Sequence, residues 1–231
     1  MLGNNLEEGD YMAKNKIEVC NGERFIGTAM VSGKKLLING TPGNALGAYL
    51  DGGEIEVNGN VQDAVGDTMN DGKIVVHGSA GDALGYSMRG GKIYIRDNAG
   101  YRAGVHMKAY KKRKPVVIIG GRTGSFLGEY LAGGLIVVLG IGLDDTPPVG
   151  NFAGTGMHGG EILIRTDKEL VGYPPQVDVS VATAEDLEPA KPYIEEFAKL
   201  FSMDAGKLLK DKYYVLKPNT KNPYKQLYTA N

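Results

Sequence analysis

The chain has no tryptophan, one cysteine, three histidines and ten prolines in 231 residues, and each shortage excludes something. A single thiol, Cys20, cannot close an internal disulfide or furnish a multi-cysteine zinc or iron–sulfur site. An excess of one charge is also missing. The 26 Lys+Arg against 27 Asp+Glu leave a net charge of -1, which disfavours a globally basic nucleic-acid binder. No apolar run approaches the roughly 18 residues of a membrane span, and Met1–Lys16 is polar without a signal-peptide core. A soluble cytoplasmic protein is therefore expected. Apolar residues at 42% and charged residues at 23% are globular values, so wholesale disorder is excluded. What the chain has in excess is glycine. Its 35 residues are twice the usual share of about 7%, yet no Gly-X-Y period runs through them, which rules out collagen.

A repeat accounts for the glycine. Written in lines of nineteen from Thr41, the chain stacks on itself as TPGNALGAYLDGGEIEVNG, NVQDAVGDTMNDGKIVVHG and SAGDALGYSMRGGKIYIRD. An earlier copy runs Gly22–Gly40. Later ones follow at Asn98–Gly121, with a basic insertion, at Arg122–Gly140, and at Asn151–Thr166 after a second insertion. Seven copies result, and 31 of the 35 glycines lie between Gly22 and Gly160. A period of this size marks a solenoid.

The columns say which kind. One is always glycine: Gly27, Gly47, Gly66, Gly85, Gly104, Gly128 and Gly154. Three residues on stands a long side chain: Met30, Leu50, Met69, Met88, Met107, Leu131 and Met157. Paired aliphatics two apart follow, such as Ile74/Val76 and Ile93/Ile95, the spacing of a strand with one face inward. Nineteen residues are too few for a strand plus a packed helix, and no line has a 3.6-residue period. Each line reads as one coil of a parallel β-helix, about seven coils in all, with the Met/Leu column and the aliphatic pairs inside and the glycines at corners.

The expected organisation is a lead-in or cap over residues 1–21, the β-helix over 22–166 and a C-terminal helical extension and tail over 167–231. Lys16–Cys20 reads as a strand covering the first coil. Thr183–Leu200 reads as a helix with Ile194, Phe197, Ala198 and Phe201 on its apolar face. Ser202–Leu209 reads as a second short helix and Lys212–Leu216 as a strand. A solenoid end exposes unpaired strand edges, and this segment is a candidate to cover them.

Few residues carry a chemical signature. Gly154–Gly159 spells G-x-G-x-x-G, but a strand follows it rather than a helix, the reverse of a dinucleotide site. His77, His106 and His158 occupy different columns and coils, so ladder geometry gathers no ligand cluster. Asn44, Asp63 and Asp82 form a polar column read as corner residues bonding nearby amides. No catalytic, cofactor-binding or metal residue is assigned. Lys111, Lys112 and Arg113 in the basic insertion, with Tyr213 and Tyr214 near the C-terminus, are candidates for a partner interface.

The wording of the coils is similar to a known family. Gly85-Tyr86-Ser87-Met88-Arg89-Gly90-Gly91, Gly104-Val105-His106-Met107, Gly128-Glu129-Tyr130-Leu131-Ala132-Gly133-Gly134 and Gly154-Thr155-Gly156-Met157-His158-Gly159-Gly160 resemble the GXGXG domain, the C-terminal β-helix of glutamate synthase. The match is nearest the stand-alone form found where that enzyme is split into separate chains, as in archaea. The scaffold chain of formylmethanofuran dehydrogenase has a similar repeat. The resemblance implies a right-handed β-helix without catalytic residues. It also implies a subunit of a multi-chain oxidoreductase of nitrogen metabolism and glutamate biosynthesis. Glutaminase-type and FMN-dependent synthase-type chains would be the partners, and FMN and iron–sulfur clusters would sit on them. The alternatives are a scaffold of a formylmethanofuran dehydrogenase complex and a hexapeptide-type acyltransferase. The last repeats every eighteen residues with an aliphatic before each glycine, a rule that Met69–Gly72 and Met88–Gly91 break.

Overall fold

A computed structural model describes residues 16–143 and 145–219; Tyr224 and Tyr228 of the tail, and most of the lead-in, lie outside them. Strands β1 (Lys16–Asn21), β2 (Lys35–Thr41), β3 (Asp51–Asn58), β4 (Asp71–Val76), β5 (Lys92–Ile95), β6 (Val116–Ile119), β7 (Ala132–Val138) and β8 (Gly159–Arg165) follow chain order in one sheet. Each pairs in parallel with the next. Consecutive parallel neighbours with no helix between them leave one path: each connection winds once around the axis and returns beside its own start. The protein is a parallel β-solenoid. Seven repeat-bearing strands, β2 to β8, bound six complete turns, one fewer than the coil count expected, because seven stacked strands enclose six intervals. β1 lies under β2 in the expected place, with its register shifted between Ile17 and Cys20.

Side chains stack in the columns the repeat implies. Ile55, Ile74, Ile93, Val117, Ile136 and Ile162 are register partners in unbroken sequence. Leu50, Met69, Met88, Met107, Leu131 and Met157 are all buried, and only Met30, in the first coil, is half-buried. A fully buried side chain of this size contributes about 1.5–3 kcal/mol, so the solenoid is held by an inner core running its whole length.

The corner opposite the strands has an unusual backbone. In each regular coil three residues, spaced by two, have positive φ; in the third they are Ala64 (57°), Gly66 (68°) and Thr68 (52°). Only the middle one is always glycine. A Cβ on Gly66 would sit 2.5 Å from Ile93 Cδ1, inside the core, whereas the side chains at the flanking positions leave the core. The polar column beside this corner does what its place in the repeat implies. Asn44 Oδ1 accepts the Asp63 amide (3.2 Å), Asp63 Oδ1 that of Asp82 (2.9 Å) and Asp82 Oδ1 that of Tyr101 (2.8 Å). A second ladder links the Asn60 side chain to Ser79 N–H and the Asn98 side chain to Arg122 N–H. Each rung thereby satisfies an amide of the next.

The outward face of the sheet carries a second core. β6 is buried at all four positions, and Val75, Tyr94, Ile118, Val137 and Leu163 point away from the solenoid interior. The C-terminal extension covers them. Thr183 caps α1 (Ala184–Leu187) through a capping box with Asp186. Pro189 follows, and the chain restarts as α2 (Lys191–Leu200) with Pro192 in its first turn. The helical stretch expected over Thr183–Leu200, with Pro189 or Pro192 at a first turn, is two helices with Pro192 in the first turn of the second, since Pro189 offers no amide to continue the first. Ile194, Phe197 and Ala198 are buried against the sheet, and Phe201 is half-buried beside them. α3 (Ala205–Lys210) starts at the Asp204 cap, whose side chain accepts the Lys207 amide. The chain then adds β10 (Tyr213–Pro218), antiparallel to β8 and to β9 (Val177–Val181). The open edge of β8 is thus covered from within the chain.

Candidate functional site

Among the described residues, no group of three or more His, Cys, Asp or Glu side chains is placed to hold a metal ion. The histidines stay apart. His77 Nε2 lies 2.8 Å from Glu56 Oε1 and meets the Phe201 ring edge-on at 5.2 Å. His158 Nδ1 is 3.2 Å from Gly156 O. His106 stacks on Tyr130 at 5.0 Å and meets Tyr86 edge-on at 6.0 Å. Cys20 is buried, and its thiol pKa is raised by burial and by the neighbouring Glu23 carboxylate, opposite to what a reactive nucleophile needs.

The left-handed corner carries aromatic side chains in several coils, and in the later ones they stack. Two before each column glycine, the positive-φ residue is Phe25 in the first coil, Ala45, Ala64 and Ala83 in the next three, and Arg102, Phe126 and Phe152 in the last three. Two after, it is Ala29, Tyr49, Thr68 and Ser87, then His106, Tyr130 and Gly156. The rings form ladders: Arg102 lies over Phe126 at 5.3 Å and Phe126 stacks on Phe152 at 5.2 Å. Arg102 Nε also donates to Glu129 Oε2 at 3.0 Å. Tyr86, Tyr101 and Phe152 are exposed, with Phe152 at 55%. Bulky side chains on left-handed backbone cost stability, and exposed ones return little through burial. The ridge fits contact with another macromolecule, because Tyr, Phe and Arg are enriched in protein interfaces.

The basic insertion forms a tight loop in which Tyr110 and Arg113 exchange backbone hydrogen bonds, both 3.0 Å. Lys111 and Lys112 are exposed. Arg113 folds back to Asp51 (3.2 Å) and to the carbonyl of Asn70 (3.3 Å), which fixes the loop across earlier coils. The two insertions do not share a corner: one enters between Met107 and β6, the other between β7 and Gly154. Tyr213 and Tyr214 differ from the surface role expected of them. At 1% and 9% exposure they are buried, Tyr213 donating to Leu208 O at 3.2 Å and Tyr214 receiving the Lys212 ammonium at 2.8 Å. Tyr213-Tyr214-Val215-Leu216 is an unbroken run of buried residues, that of a strand buried on both faces, so the tyrosines pack within the chain.

The repeat did not single out a polar node at the outer core. Glu196 on α2 accepts from Tyr94 Oη (2.6 Å) and Lys92 Nζ (2.7 Å), with Lys73 Nζ at 3.6 Å. Burial alone would raise the Glu196 pKa. The Lys92 and Tyr94 hydrogen bonds and the two ammonium charges outweigh it and hold the carboxyl below its usual range. Burial, then the bond to Glu196, pushes the Tyr94 phenol well up. The signal was in the outward strand column, where a tyrosine stands between valine and isoleucine.

Backbone-satisfying ladders and two exposed surface features, the aromatic ridge and the basic loop, mark this parallel β-solenoid. The chain belongs to the GXGXG motif family, which matches residues 6–221. GXGXG domains are found in glutamate synthase. The chain is also similar to a protein of Methanocaldococcus jannaschii named "Uncharacterized protein MJ1350", with 47% identity over 135 residues. The matched stretch covers 55% of this chain and 51% of that protein, so the chain spans about half the length of the curated relative it matches. No helix among the described residues is long and apolar enough to cross a membrane.

Proposed function

We propose that this protein is the non-catalytic β-solenoid subunit of a multi-chain glutamate synthase. In this reading the complex makes glutamate from glutamine and 2-oxoglutarate, and the solenoid scaffolds its glutaminase chain and its FMN and iron–sulfur chain. The observation that carries the reading is GXGXG family membership along nearly the whole chain. The late-coil aromatic ridge and the Lys111–Lys112 loop are the surfaces offered to partner chains, and a solenoid that cannot flex between rungs would hold such partners at fixed separation.

Reconstitution tests the proposal. The purified chain alone should release no ammonia from glutamine and carry no visible chromophore. Adding it to the glutaminase-type and synthase-type chains of the same organism should restore glutamine-dependent glutamate formation that those chains lack without it. Full activity in its absence refutes the scaffold role. Co-purification with a molybdopterin-binding chain instead would move the protein to the formylmethanofuran dehydrogenase reading.

A further inference from the structure

A cleft of about 310 Å³ opens where the turn after β7 meets the C-terminal extension. Its charged lining is Arg165, Lys168, Lys207 and Lys212 against Asp167 and Asp211, four cations to two anions, on a chain whose total charge is -1. Pairing within the cleft leaves this excess of two positive charges unchanged. Asp211 is taken up by Arg165, whose Nε (2.8 Å) and Nη2 both donate to the same oxygen, Oδ2. Arg165 Nη1 donates to Leu139 O at 2.7 Å, so the guanidinium is locked in place with two of its five N–H donors still unused. Among the described residues Lys168 has one carboxylate in range, Asp145 at 3.9 Å, and that side chain is 98% exposed, where water and salt screen the pair. Lys207 and Lys212 have no carboxylate within 4.0 Å among the described residues. Lys212 instead donates to the Tyr214 hydroxyl at 2.8 Å and lies 4.5 Å from that ring's centre.

Three lysines and a fixed guanidinium thus line one cleft whose own carboxylates, Asp167 and Asp211, leave two positive charges uncompensated. Like charges brought together repel, and the repulsion persists until an anion enters. We propose that this cleft is a binding site for a small oxyanion of two or more negative charges, a phosphate or a polycarboxylate. Arg165 supplies the preformed planar donor, and Lys207 and Lys212, on flexible stems, close on the anion from α3 and from the approach to β10. The volume and the flanking Asp167 and Asp211 select against a nucleic-acid strand, which needs an extended basic track. The site stands independently of the scaffold reading, because every group in it belongs to this chain.

Calorimetry and thermal melting of the full chain test it, with inorganic phosphate and citrate as probes and ionic strength held constant with sodium chloride. One-to-one saturable binding of at least one probe is expected, with a matching rise in melting temperature. Phosphate alone binding would assign the phosphate class, citrate alone the polycarboxylate class, and both the shared oxyanion chemistry. Lys207→Gln with Lys212→Gln should weaken binding at least about tenfold. Lys111→Gln with Lys112→Gln, on the distant loop, should leave it unchanged. If the first pair lowers the melting temperature of the free protein, Lys168→Gln replaces it, with weaker binding still expected. No saturable binding of either probe overturns the proposal, as does equal loss in both double variants, which would mean diffuse attraction to surface charge.

Discussion

Two substitutions at neighbouring left-handed positions separate backbone strain from core volume. Ala64 and Gly66 have φ of 57° and 68°. Gly66→Ala must pay the left-handed penalty, roughly 1–2 kcal/mol. It also forces a methyl to within 2.5 Å of Ile93 Cδ1, an overpacking of the inner core of about 1–3 kcal/mol. The combined loss is about 2–5 kcal/mol, a fall in melting temperature of roughly 4–20 °C for a chain of this length. Ala64→Gly runs the other way. It relieves strain of about 1 kcal/mol while gaining a similar unfolded-state entropy, so the net change is within about 0.5 kcal/mol of zero. Thermal and urea unfolding, followed by circular dichroism and by tyrosine fluorescence, measure both. A silent Gly66→Ala, or equal losses in the two variants, would refute the claim that the glycine column is set by a side chain that would point inward.

Further tests address other elements. Thr123 is 1% exposed, and its hydroxyl has no hydrogen-bond partner among the described residues. Thr123→Val should stabilise the protein by about 1 kcal/mol in urea, and a loss would show that the hydroxyl is satisfied in solution. Asp186 is held at about 2, chiefly by the Lys217 ammonium and then by the Thr183 amide and hydroxyl. A depressed carboxyl contributes stability above its ordinary pKa and loses it as pH falls through the folded value. The melting temperature should therefore drop between about pH 4 and 2 by more in the wild type than in Asp186→Asn, and parallel curves would contradict the pairing. Removing residues 220–231 should leave the melting temperature unchanged while weakening assembly with partner chains, and unchanged co-purification would dismiss the tail as a dock. A cut at Lys217 is a different experiment, because Lys217 pairs with Glu161 (3.3 Å) and Asp186 (2.6 Å) from inside β10.

The solenoid was legible because its columns repeat. Gly66, Met69, Ile74 and Val76 each recur at a fixed offset, and the register partners follow those offsets coil after coil. The outer core was less so. Val116-Val117-Ile118-Ile119 has no alternation, a pattern of strands buried on both faces, and it announced a covering layer without naming the layer. α2 was visible from its apolar stripe, but its docking place depends on Tyr94 and Glu196, 102 residues apart, with no local signal joining them. β9 (Val177–Val181) has alternating valines that could have been read as a strand, although the preceding Pro174 and Pro175 marked a boundary. The oxyanion cleft draws on residues from three segments, and only folding brings their charges together.

α2 also sets a length. Pro189, just before it, lines one groove with Glu161 of β8, and Phe201, just after it, meets His77 at the end of β4. Four strand spacings separate β8 from β4, about 19 Å, and the ten residues of α2, about 15 Å long, bridge that interval together with the Pro189–Ala190 turn before them and Phe201 after them. The helix works as a gauge laid along the stack. An extra coil inserted between β4 and β8 would overrun it by one spacing and pull Glu196 off Lys92 and Tyr94. One inserted between β2 and β3 falls outside the measured interval and leaves those contacts intact. A repeat that could in principle grow by any number of rungs is therefore limited, over its upper half, by the segment that closes it.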